Sequence, residues 1–476
     1  MLGKKVRLGD VPEEEWDYLQ NKGFDFIWLM GIWERSPRGR QIALEDPFLQ
    51  KEYDKALPGW KPIDVAGSPY AIRAYRPDAE LATWDELAGV LTKLHHRGMK
   101  LILDFVPNHS ALDHEWVHTH PDYYIQGTEK ESASPPAGFF TIGTQQGPLL
   151  LAHGKDPYFP AWTDTAQLNF FNPDTRRALI QELQTIAQYC DGVRCDMAML
   201  VLNDVFSQTW GGYRNAGSCP SREFWSEVIP LLPNFVWIAE VYWDREWDLQ
   251  QLGFHFTYDK RLYDRLRQSS VRELVSHLRG DRHFQNKLVR FIENHDEPRS
   301  ASVFGNVRLP AVGTLFSTLP GMRLFHQGQL EGKRLRIPVQ LSRAQEEPAD
   351  QETQAFYDSL LEISNQSLFH DGQWHFLDIQ SAGDASYETL IAYLWQTKTQ
   401  RHIVVVNIHS VMAQGRIRLS NILEIPSDPS QKYGLHDFFT AKEYHHPADE
   451  VFHQGLLVRL DPFGAQILKV STMAPS

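Results

Sequence analysis

The chain has 476 residues, of which 42% are hydrophobic and 22% are charged, a composition typical of a soluble globular protein with a large core. Its 60 acidic and 47 basic residues give a net charge of −13, which disfavours nucleic acids and anionic membranes as partners because both would be repelled. The length predicts two or three domains.

The sequence carries no pattern typical of secretion or membrane insertion. No run of 18 apolar residues occurs, and residues 1–10 have positive charge without the apolar core of a signal peptide. The cysteines Cys190, Cys195 and Cys219 form neither a disulfide framework nor a CxxC metal pattern. We therefore expect a cytoplasmic protein without a membrane span.

The N-terminal part of the chain predicts helices that alternate with apolar strands. Residues 11–23 place acids in the first turn of a helix that ends at a glycine, and the apolar run 24–31 predicts the strand after it. A long loop rich in Pro and Gly is expected over 32–83. The next helix begins there with a capping box of Thr83 and Glu86.

The alternation continues to residue 368 with one interruption. Residues 110–172 have weak periodicity and many aromatic residues, which predicts an inserted small domain, and the helix after it begins at Pro173. From about residue 372 the apolar runs become short and alternating, which indicates an antiparallel β-sandwich. Seven apolar runs before that point predict parallel strands: 24–31, 100–109, 191–197, 235–243, 254–260, 288–295 and 322–329.

These elements together predict an α/β fold of the TIM (β/α)8 barrel type. We expect the barrel in residues 1–109 and 173–368, the inserted domain in 110–172 and the sandwich in 369–476. Seven strands are counted where a barrel has eight, and we expect the first strand to be the one that is absent. Either the recorded start lies downstream of the true one, or the barrel is open or closed in an unusual way.

Several predicted strands end in ionisable residues, as the strands of a barrel with a catalytic face do. Arg194 and Asp196 share one face of a strand, and the arginine favours the ionised carboxylate that a nucleophile needs. Glu240 ends an apolar strand, where desolvation favours the neutral form of a general acid. Two such carboxyl groups roughly 5 Å apart make a retaining glycosidase.

Motifs at the ends of four strands resemble those of the α-amylase family of glycoside hydrolases and transglycosidases. These motifs are DFVPNH at 104–109, GVRCDMA at 192–198, IAEVY at 238–242 and FIENHD at 291–296. QLN at 167–169 and GSPYAI at 67–72 resemble two weaker motifs of the family. Four motifs in the family's order are far more specific than any one of them.

The resemblance implies a role for three carboxylates. Asp196 would attack the anomeric carbon, and Glu240 would protonate the leaving oxygen. Asp296 would bind the sugar hydroxyls most tightly as the ring flattens in the transition state.

The resemblance also implies four substrate-binding residues around those acids. Arg194 would orient Asp196, and Asp104 would brace the arginine. His109 and His295 would form hydrogen bonds with the sugar at the cleavage site, and Tyr70 would stack beneath the same ring. A lone histidine is more often structural, so these two assignments depend on their motifs.

The chain departs from the family pattern after the nucleophile. Many members have Lys and His where this chain has Met199 and Leu200, so the acceptor side is expected to be less polar. Asn108 matches a usual calcium ligand, but it is equally interpreted as a loop-capping residue. We therefore predict no metal and no redox cofactor.

The sequence thus predicts an enzyme acting on α-glucosidic bonds in α-glucans or oligosaccharides through a covalent glycosyl intermediate. A hydrolase is the first hypothesis. A transglycosidase, either an α-glucanotransferase or a disaccharide-converting enzyme, is the alternative, because both use the same three acids. A non-catalytic carbohydrate-binding or assembly module is the second alternative, and retention of all three carboxylates argues against it. The oligomeric state is left open.

Overall fold

The computed structural model describes residues 6–128, 138–213, 215–268, 270–419 and 431–473. The chain divides into two compact units. The first comprises residues 1–258 and 337–346, and the second comprises 259–336 and 347–476.

Parallel strands form the centre of the first unit. In sheet order, which is also chain order, they are β1 (Phe26–Leu29), β2 (Lys100–Phe105), β3 (Gly192–Cys195), β4 (Val236–Ala239) and β5 (Phe256–Tyr258). The second unit contains a further parallel pair, β6 (Leu288–Arg290) and β7 (Met322–Arg323). The described residues therefore contain the seven parallel strands that the sequence predicts.

The central strands of the first unit are buried on both faces, as strands of parallel sheets covered by helices are. Leu101, Leu103 and Phe105 of β2 and Val193 of β3 are fully buried in one large apolar core. The unit also contains nine α-helices among its described residues: Glu13–Asn21, Pro37–Glu45, Pro47–Ala56, Trp84–His96, Trp116–Thr119, Pro173–Ile186, Asn203–Trp210, Phe224–Val228 and Glu246–Gln251.

Two predicted helix starts are confirmed by their hydrogen bonds. The Glu86 N–H donates to Thr83 Oγ1 at 3.2 Å, and the Thr83 N–H donates to Glu86 Oε2 at 2.6 Å, which is the predicted capping box. The helix at Pro173 begins with Asn172 as its cap, whose Oδ1 accepts from the Asp174 N–H at 2.9 Å.

The prediction of a long loop over 32–83 is wrong. This stretch contains the helices Pro37–Glu45 and Pro47–Ala56, and strand Trp33–Arg35 pairs antiparallel with Ile72–Pro77. The cause is local: Ser36 and Asp46 each cap a helix whose first residue is proline. Proline at that position supports a helix because its missing N–H is not needed there.

Hydrogen bonds that join Asp64 and Ala66 to residues 340–343, here called the clasp, hold the stretch 32–83 against residues 337–346 of the same unit. The Arg343 guanidinium donates to both carboxylate oxygens of Asp64 at 2.9 Å. These bonds, which also include donation from the Lys61 N–H, lower the pKa of Asp64 to about 2. The Ala66 N–H donates to Gln340 O at 2.7 Å, and the Ser342 N–H donates to Asp64 O at 2.8 Å.

The predicted inserted segment contains short antiparallel strands. His109–Ala111 pairs with Thr165–Gln167, and Phe139–Thr144 pairs with Gly147–Ala152 as a hairpin. The first pair returns the chain to the end of β2, so that residues of the inserted segment lie close to the β2 exit.

The second unit contains helices followed by an antiparallel sandwich. Its α-helices are Lys260–Gln268, Val271–Leu278, Arg282–Asn286, Ser300–Val303, Gly305–Thr318, Gln351–Ser364 and Leu368–Asp371. The sandwich strands are β8 (Gln373–Leu377), β9 (Ile379–Ser381), β10 (Leu390–Gln396), β11 (Arg401–Asn407), β12 (Ala413–Ile417), β13 (Lys432–Asp437), β14 (Glu443–Pro447), β15 (Leu456–Leu460) and β16 (Ala465–Met473).

These strands form two sheets, ordered β8-β10-β11-β16-β13-β14 and β9-β12-β15. One apolar core takes residues from both sheets, including Ile403 of β11 and Ile417 of β12. The predicted C-terminal antiparallel sandwich is therefore confirmed. Among the residues that the structure describes, no helix has the length and apolar character needed to cross a membrane.

Candidate active site

Strand register brings two of the predicted carboxylates side by side. Ala239 of β4 lies opposite Cys195 of β3, and the residue after each is Glu240 and Asp196. The backbone pairing continues past the strand ends, because the Glu240 N–H donates to Cys195 O at 3.0 Å and the Ala198 N–H donates to Glu240 O at 2.9 Å. Two acids that are 44 residues apart in sequence therefore leave adjacent strands at the same edge.

Arg194 lies between the two carboxylates. Its Nη1 donates to Asp196 Oδ1 at 2.8 Å, and its Nη2 lies 2.8 Å from Glu240 Oε2. Asp104 of β2 approaches the same guanidinium, with Oδ1 at 3.7 Å from Nη1. All four side chains are buried. The guanidinium of Arg194 thus lies within 4 Å of three carboxylates.

Three aromatic rings enclose the guanidinium. Its carbon lies 5.2 Å from the Tyr70 ring centroid, 5.3 Å from that of Trp28 and 5.7 Å from that of Tyr258. Burial by itself would lower the pKa of Arg194, but the charges of Glu240 and its other neighbours outweigh burial and raise the pKa. Arg194 is therefore a permanent positive charge in the site.

Glu240 accepts from two further donors. The Tyr242 hydroxyl donates to Oε1 at 2.8 Å, and the Met197 N–H donates to Oε2 at 2.9 Å. Met197 has a φ of 41°, a left-handed conformation that non-glycine residues rarely adopt and that is often found at functional sites. Glu240 is thus held by polar donors, although the sequence argument gave it apolar surroundings.

The ionisation of the pair in the ligand-free protein differs from the expectation. Burial, followed by the charge of Glu240, raises the pKa of Asp196 to about 8, against the opposing effect of Arg194. The sequence argument considered Arg194 alone beside Asp196. It could not include the second carboxylate at the same guanidinium or the donors that Tyr242 and Met197 supply to Glu240.

Tyr70 and His109 lie near this group on the first unit. Tyr70 contacts Arg194 as described, and a hydrogen bond joins the His109 ring to the backbone of Tyr70. Burial lowers the pKa of His109 to about 4, so the ring is neutral at pH 7. The Trp162 ring centroid lies 5.1 Å from that of His109.

Asn108 is bonded to Gln167 in a reciprocal amide pair. Asn108 Nδ2 donates to Gln167 Oε1 at 3.2 Å, and Gln167 Nε2 lies 3.0 Å from Asn108 Oδ1 and 2.9 Å from Asn108 O. Two carboxamides that saturate one another do not fit a calcium site, which calls for several carboxylate or carbonyl oxygens around an ion. Within the described ranges, no group of three His, Cys, Asp or Glu side chains is arranged to hold a metal.

Asp296 and His295 belong to the second unit. Asp296 follows β6, its side chain is 46% exposed, and His295 Nε2 lies 3.0 Å from its Oδ2. His295 is buried. Both residues thus occupy a strand exit, the position that their motif implies.

A buried ionic network lies beside them in the second unit. Glu293 Oε1 accepts from Arg299 Nη1 at 2.7 Å, and Oε2 accepts from the Ser300 N–H and Oγ at 2.7 Å each. Burial would raise the pKa of Glu293, but hydrogen bonds from His326, Ser300 and Arg299 and the charge of Arg299 outweigh it and lower the pKa. This carboxylate is fixed as an anion.

Sequence reasoning missed the donors that support Glu240, and it missed Trp28 and Tyr258 among the three rings that enclose Arg194. Tyr242 had a usable signal, because it lies two residues after Glu240 and alternation places both on one face. Tyr258 ends the apolar run of β5 and could have been found in the same way. No signal in the sequence indicated the Met197 N–H, because the direction of a backbone donor cannot be read from residue types.

Comparison with known proteins gives consistent results. Residues 12–224 match the family described as alpha amylase, catalytic domain. "Alpha-amylase 3" of Dictyoglomus thermophilum is 23% identical over 69% of this chain and 62% of its own length. "Alpha-amylase MalA" of Haloarcula japonica is 24% identical over 84% of this chain and 52% of its own length. The chain thus aligns with about half to three-fifths of these relatives.

A solved structure shares the fold over nearly the whole chain. The maltogenic alpha-amylase AmyB of Thermotoga neapolitana has a TM-score of 0.69 and 20% identity, covering 96% of this chain and 93% of its own. The parallel strands and the C-terminal sandwich described above are therefore those of a barrel-type α/β fold with an appended antiparallel domain.

Proposed function

We propose that this chain, whose residues 12–224 match the alpha amylase catalytic-domain family, is a retaining glycosidase that cleaves α-glucosidic bonds in α-glucans or oligosaccharides. The observation that carries this proposal is the pair of buried carboxylates, Asp196 and Glu240, at adjacent strand ends and bridged by Arg194. A retaining mechanism needs two carboxyl groups about 5 Å apart, and contact with one guanidinium keeps the pair close.

In the first step, Asp196 attacks the anomeric carbon while Glu240 donates its proton to the glycosidic oxygen. The bond to the leaving sugar breaks, and a covalent glycosyl–Asp196 ester forms. In the second step, Glu240 takes a proton from water, the hydroxide oxygen bonds to the anomeric carbon, and Asp196 leaves as a carboxylate. Two inversions restore the α configuration.

The proton needed for the first step is already held in the site. A raised pKa of about 8 for Asp196 means that Asp196 holds a proton at pH 7. The mechanism needs that proton on Glu240. Since Arg194 contacts both carboxyl groups, its charge stabilises whichever of them is ionised, and the proton transfers without rearrangement of the arginine.

The remaining roles are proposed from the resemblance. Asp296 and His295 contact the sugar hydroxyls, and Tyr70 stacks against the ring that is cleaved. His109, neutral at pH 7, exchanges hydrogen bonds with the same sugar. We further propose a cytoplasmic location, supported by three free cysteines.

Two variants assayed on two substrates test the roles of the acids. Maltotriose needs a proton on its leaving oxygen, whereas α-glucosyl fluoride needs little acid catalysis because fluoride leaves readily. We expect Asp196→Asn to abolish turnover of both substrates and Glu240→Gln to reduce maltotriose turnover far more than fluoride turnover. Asp191→Asn is the matched control, because Asp191 precedes β3 at its opposite end and bonds His95 at 2.9 Å.

The anomeric configuration of the first product, observed by proton NMR, tests retention. An α product supports the double displacement, and a β product contradicts it. Products longer than the donor would assign the second step to a sugar acceptor and make the protein a transglycosidase. Equal turnover by wild type and Asp196→Asn would contradict the assignment of Asp196 as the nucleophile.

A further inference from the structure

The clasp joins the stretch 32–83 to residues 337–346 by more than its ion pair. Val65 and Leu341 form an antiparallel bridge, and backbone hydrogen bonds lie on either side of it. The same two side chains are buried in a small apolar core with Tyr53 of helix Pro47–Ala56. The clasp is therefore a packed part of the first unit, and it does not depend on one surface contact between two loops.

Arg35 connects the clasp to the exit of β1. Its Nη1 donates to Gly67 O at 2.8 Å and lies 3.4 Å from Val339 O. Gly31 follows β1 with a φ of 72°, and a Cβ placed on it would lie 2.9 Å from Arg35 Nη2 and 2.9 Å from Pro69 Cβ. Only glycine permits this close approach. The guanidinium of Arg35 therefore packs directly on the backbone at the β1 exit.

The same strand exit belongs to the candidate active site. The Gly31 N–H donates to Asp104 Oδ2 at 3.1 Å, and Asp104 is one of the carboxylates near Arg194. Tyr70, whose ring centroid lies 5.2 Å from the Arg194 guanidinium carbon, directly follows Pro69 in the sequence. The clasp therefore borders the part of the site that contains Tyr70.

The order of the strands indicates which end of a substrate meets the clasp. The order across the site is β1, β2, β3 and β4, with Asp196 after β3 and Glu240 after β4. A general acid faces the leaving oxygen of the bond that it cleaves, so the leaving sugar lies on the β4 side. The glucosyl ring that Asp196 retains lies on the other side, against Tyr70. The non-reducing end of that ring is opposite its anomeric carbon, so it points toward β1 and the clasp.

We propose that the clasp closes the donor side of the site, so that the enzyme removes one glucosyl residue at a time from the non-reducing end of its substrate. The inference rests on the proposed function and names its substrate class, which is α-gluco-oligosaccharides with a free non-reducing end. A longer donor chain could pass only if residues 64–67 separated from residues 339–343. That separation would break the bonds of Arg35, Ala66 and Arg343 together, so bonds in the interior of a glucan are not cleaved.

The test compares maltoheptaose with the same oligosaccharide blocked by an ethylidene group at its non-reducing end. The wild-type protein should release glucose as the first small product of free maltoheptaose, and kcat/KM for the blocked oligosaccharide should be lower by roughly 100-fold. Chromatography of the products at low conversion, when each substrate molecule has been cut once at most, measures both quantities.

A double variant tests whether the clasp causes this selectivity. Arg343→Gln removes the ion pair with Asp64, and Arg35→Met removes the bonds to Gly67 O and Val339 O. We expect the ratio of kcat/KM for blocked over free maltoheptaose to rise roughly 10-fold, with products longer than glucose. Arg73→Gln is the matched control, because Arg73 is exposed and pairs with Glu34 at 2.7 Å elsewhere in the same stretch, and it should leave the ratio unchanged.

Equal turnover of the two oligosaccharides by wild type, or a first product longer than glucose, would overturn the proposal and leave the proposed function intact. A double variant that loses activity equally on both substrates would also overturn it, because the clasp would then serve stability alone. If the double variant does not fold, the wild-type products decide. A wild-type protein inert on both substrates contradicts the proposed function instead, and calorimetric titration into Asp196→Asn then decides. Binding of free but not of blocked maltoheptaose supports the closed donor side, and equal or absent binding refutes it.

Discussion

Replacement of Asp196 by asparagine is expected to stabilise the protein while it abolishes activity. The folded protein holds a proton on Asp196 up to about pH 8, whereas the unfolded chain releases it near its ordinary pKa of 3.8. The folded-state pKa of this acid is the higher one. Stability therefore falls as pH rises from about 4 to about 8, and asparagine, which has no proton to lose, removes that loss.

The magnitude follows from the two pKa values. In the unfolded chain, pH 7 lies about three units above the pKa of Asp196. Each unit stabilises the unfolded state by about 1.4 kcal/mol, so the free energy of unfolding is lowered by about 4 kcal/mol. A less favourable contact between the amide and Arg194 offsets about 1–2 kcal/mol of the gain. We expect a net gain of about 2–3 kcal/mol at pH 7, or a rise in Tm of roughly 2–5 °C.

Scanning calorimetry of wild type and Asp196→Asn at several values between pH 4 and pH 8 measures this effect. The difference in Tm should be small near pH 4 and grow toward pH 7. Asp191→Asn, on the same segment but bonded to His95 and to the Leu101 N–H, controls for the substitution itself. A difference that is equal at both ends of the pH range, or a less stable Asp196→Asn at pH 7, would refute the reasoning.

Three further predictions concern residues outside the catalytic pair. Gln167→Ala leaves the Asn108 amide buried without its partner, which should cost roughly 1–3 kcal/mol of unfolding free energy in a denaturant titration; a change no larger than that of the exposed Gln20→Ala would contradict this. Glu293→Gln leaves the Arg299 charge buried and unpaired, so its unit should lose roughly 3–5 kcal/mol in calorimetry, and an unchanged Tm would argue against the network. Arg343→Gln opens the clasp, so the Ala66 and Ser342 amides should exchange hydrogen faster by mass spectrometry, and unaltered rates would show that backbone bonds suffice.

Local patterns in the sequence predict the elements and the strand-end positions of the acids. The capping box at Thr83 and the run leading to Asp196 are encoded by neighbouring residues, whose spacing determines helix or strand and the face on which a side chain lies. The same rules apply to Glu240, so the candidate pair could be named before its geometry was known. The helices after Ser36 and Asp46 carried a local signal too, and the proline at each start was misread as part of a loop.

Tertiary structure alone decides the environment of those acids. The pKa of Asp196 depends on Glu240 and Arg194 at one point in space, and Glu240 depends on the backbone N–H of Met197, which donates to its carboxylate. The contact of Arg343 with Asp64 joins residues 279 positions apart. Spacing along the chain determines whether a residue lies in a helix or a strand and on which face its side chain lies. The electrostatic energy of a buried group depends instead on its distances to every charge and dipole around it. Those distances are set by how strands align and loops close.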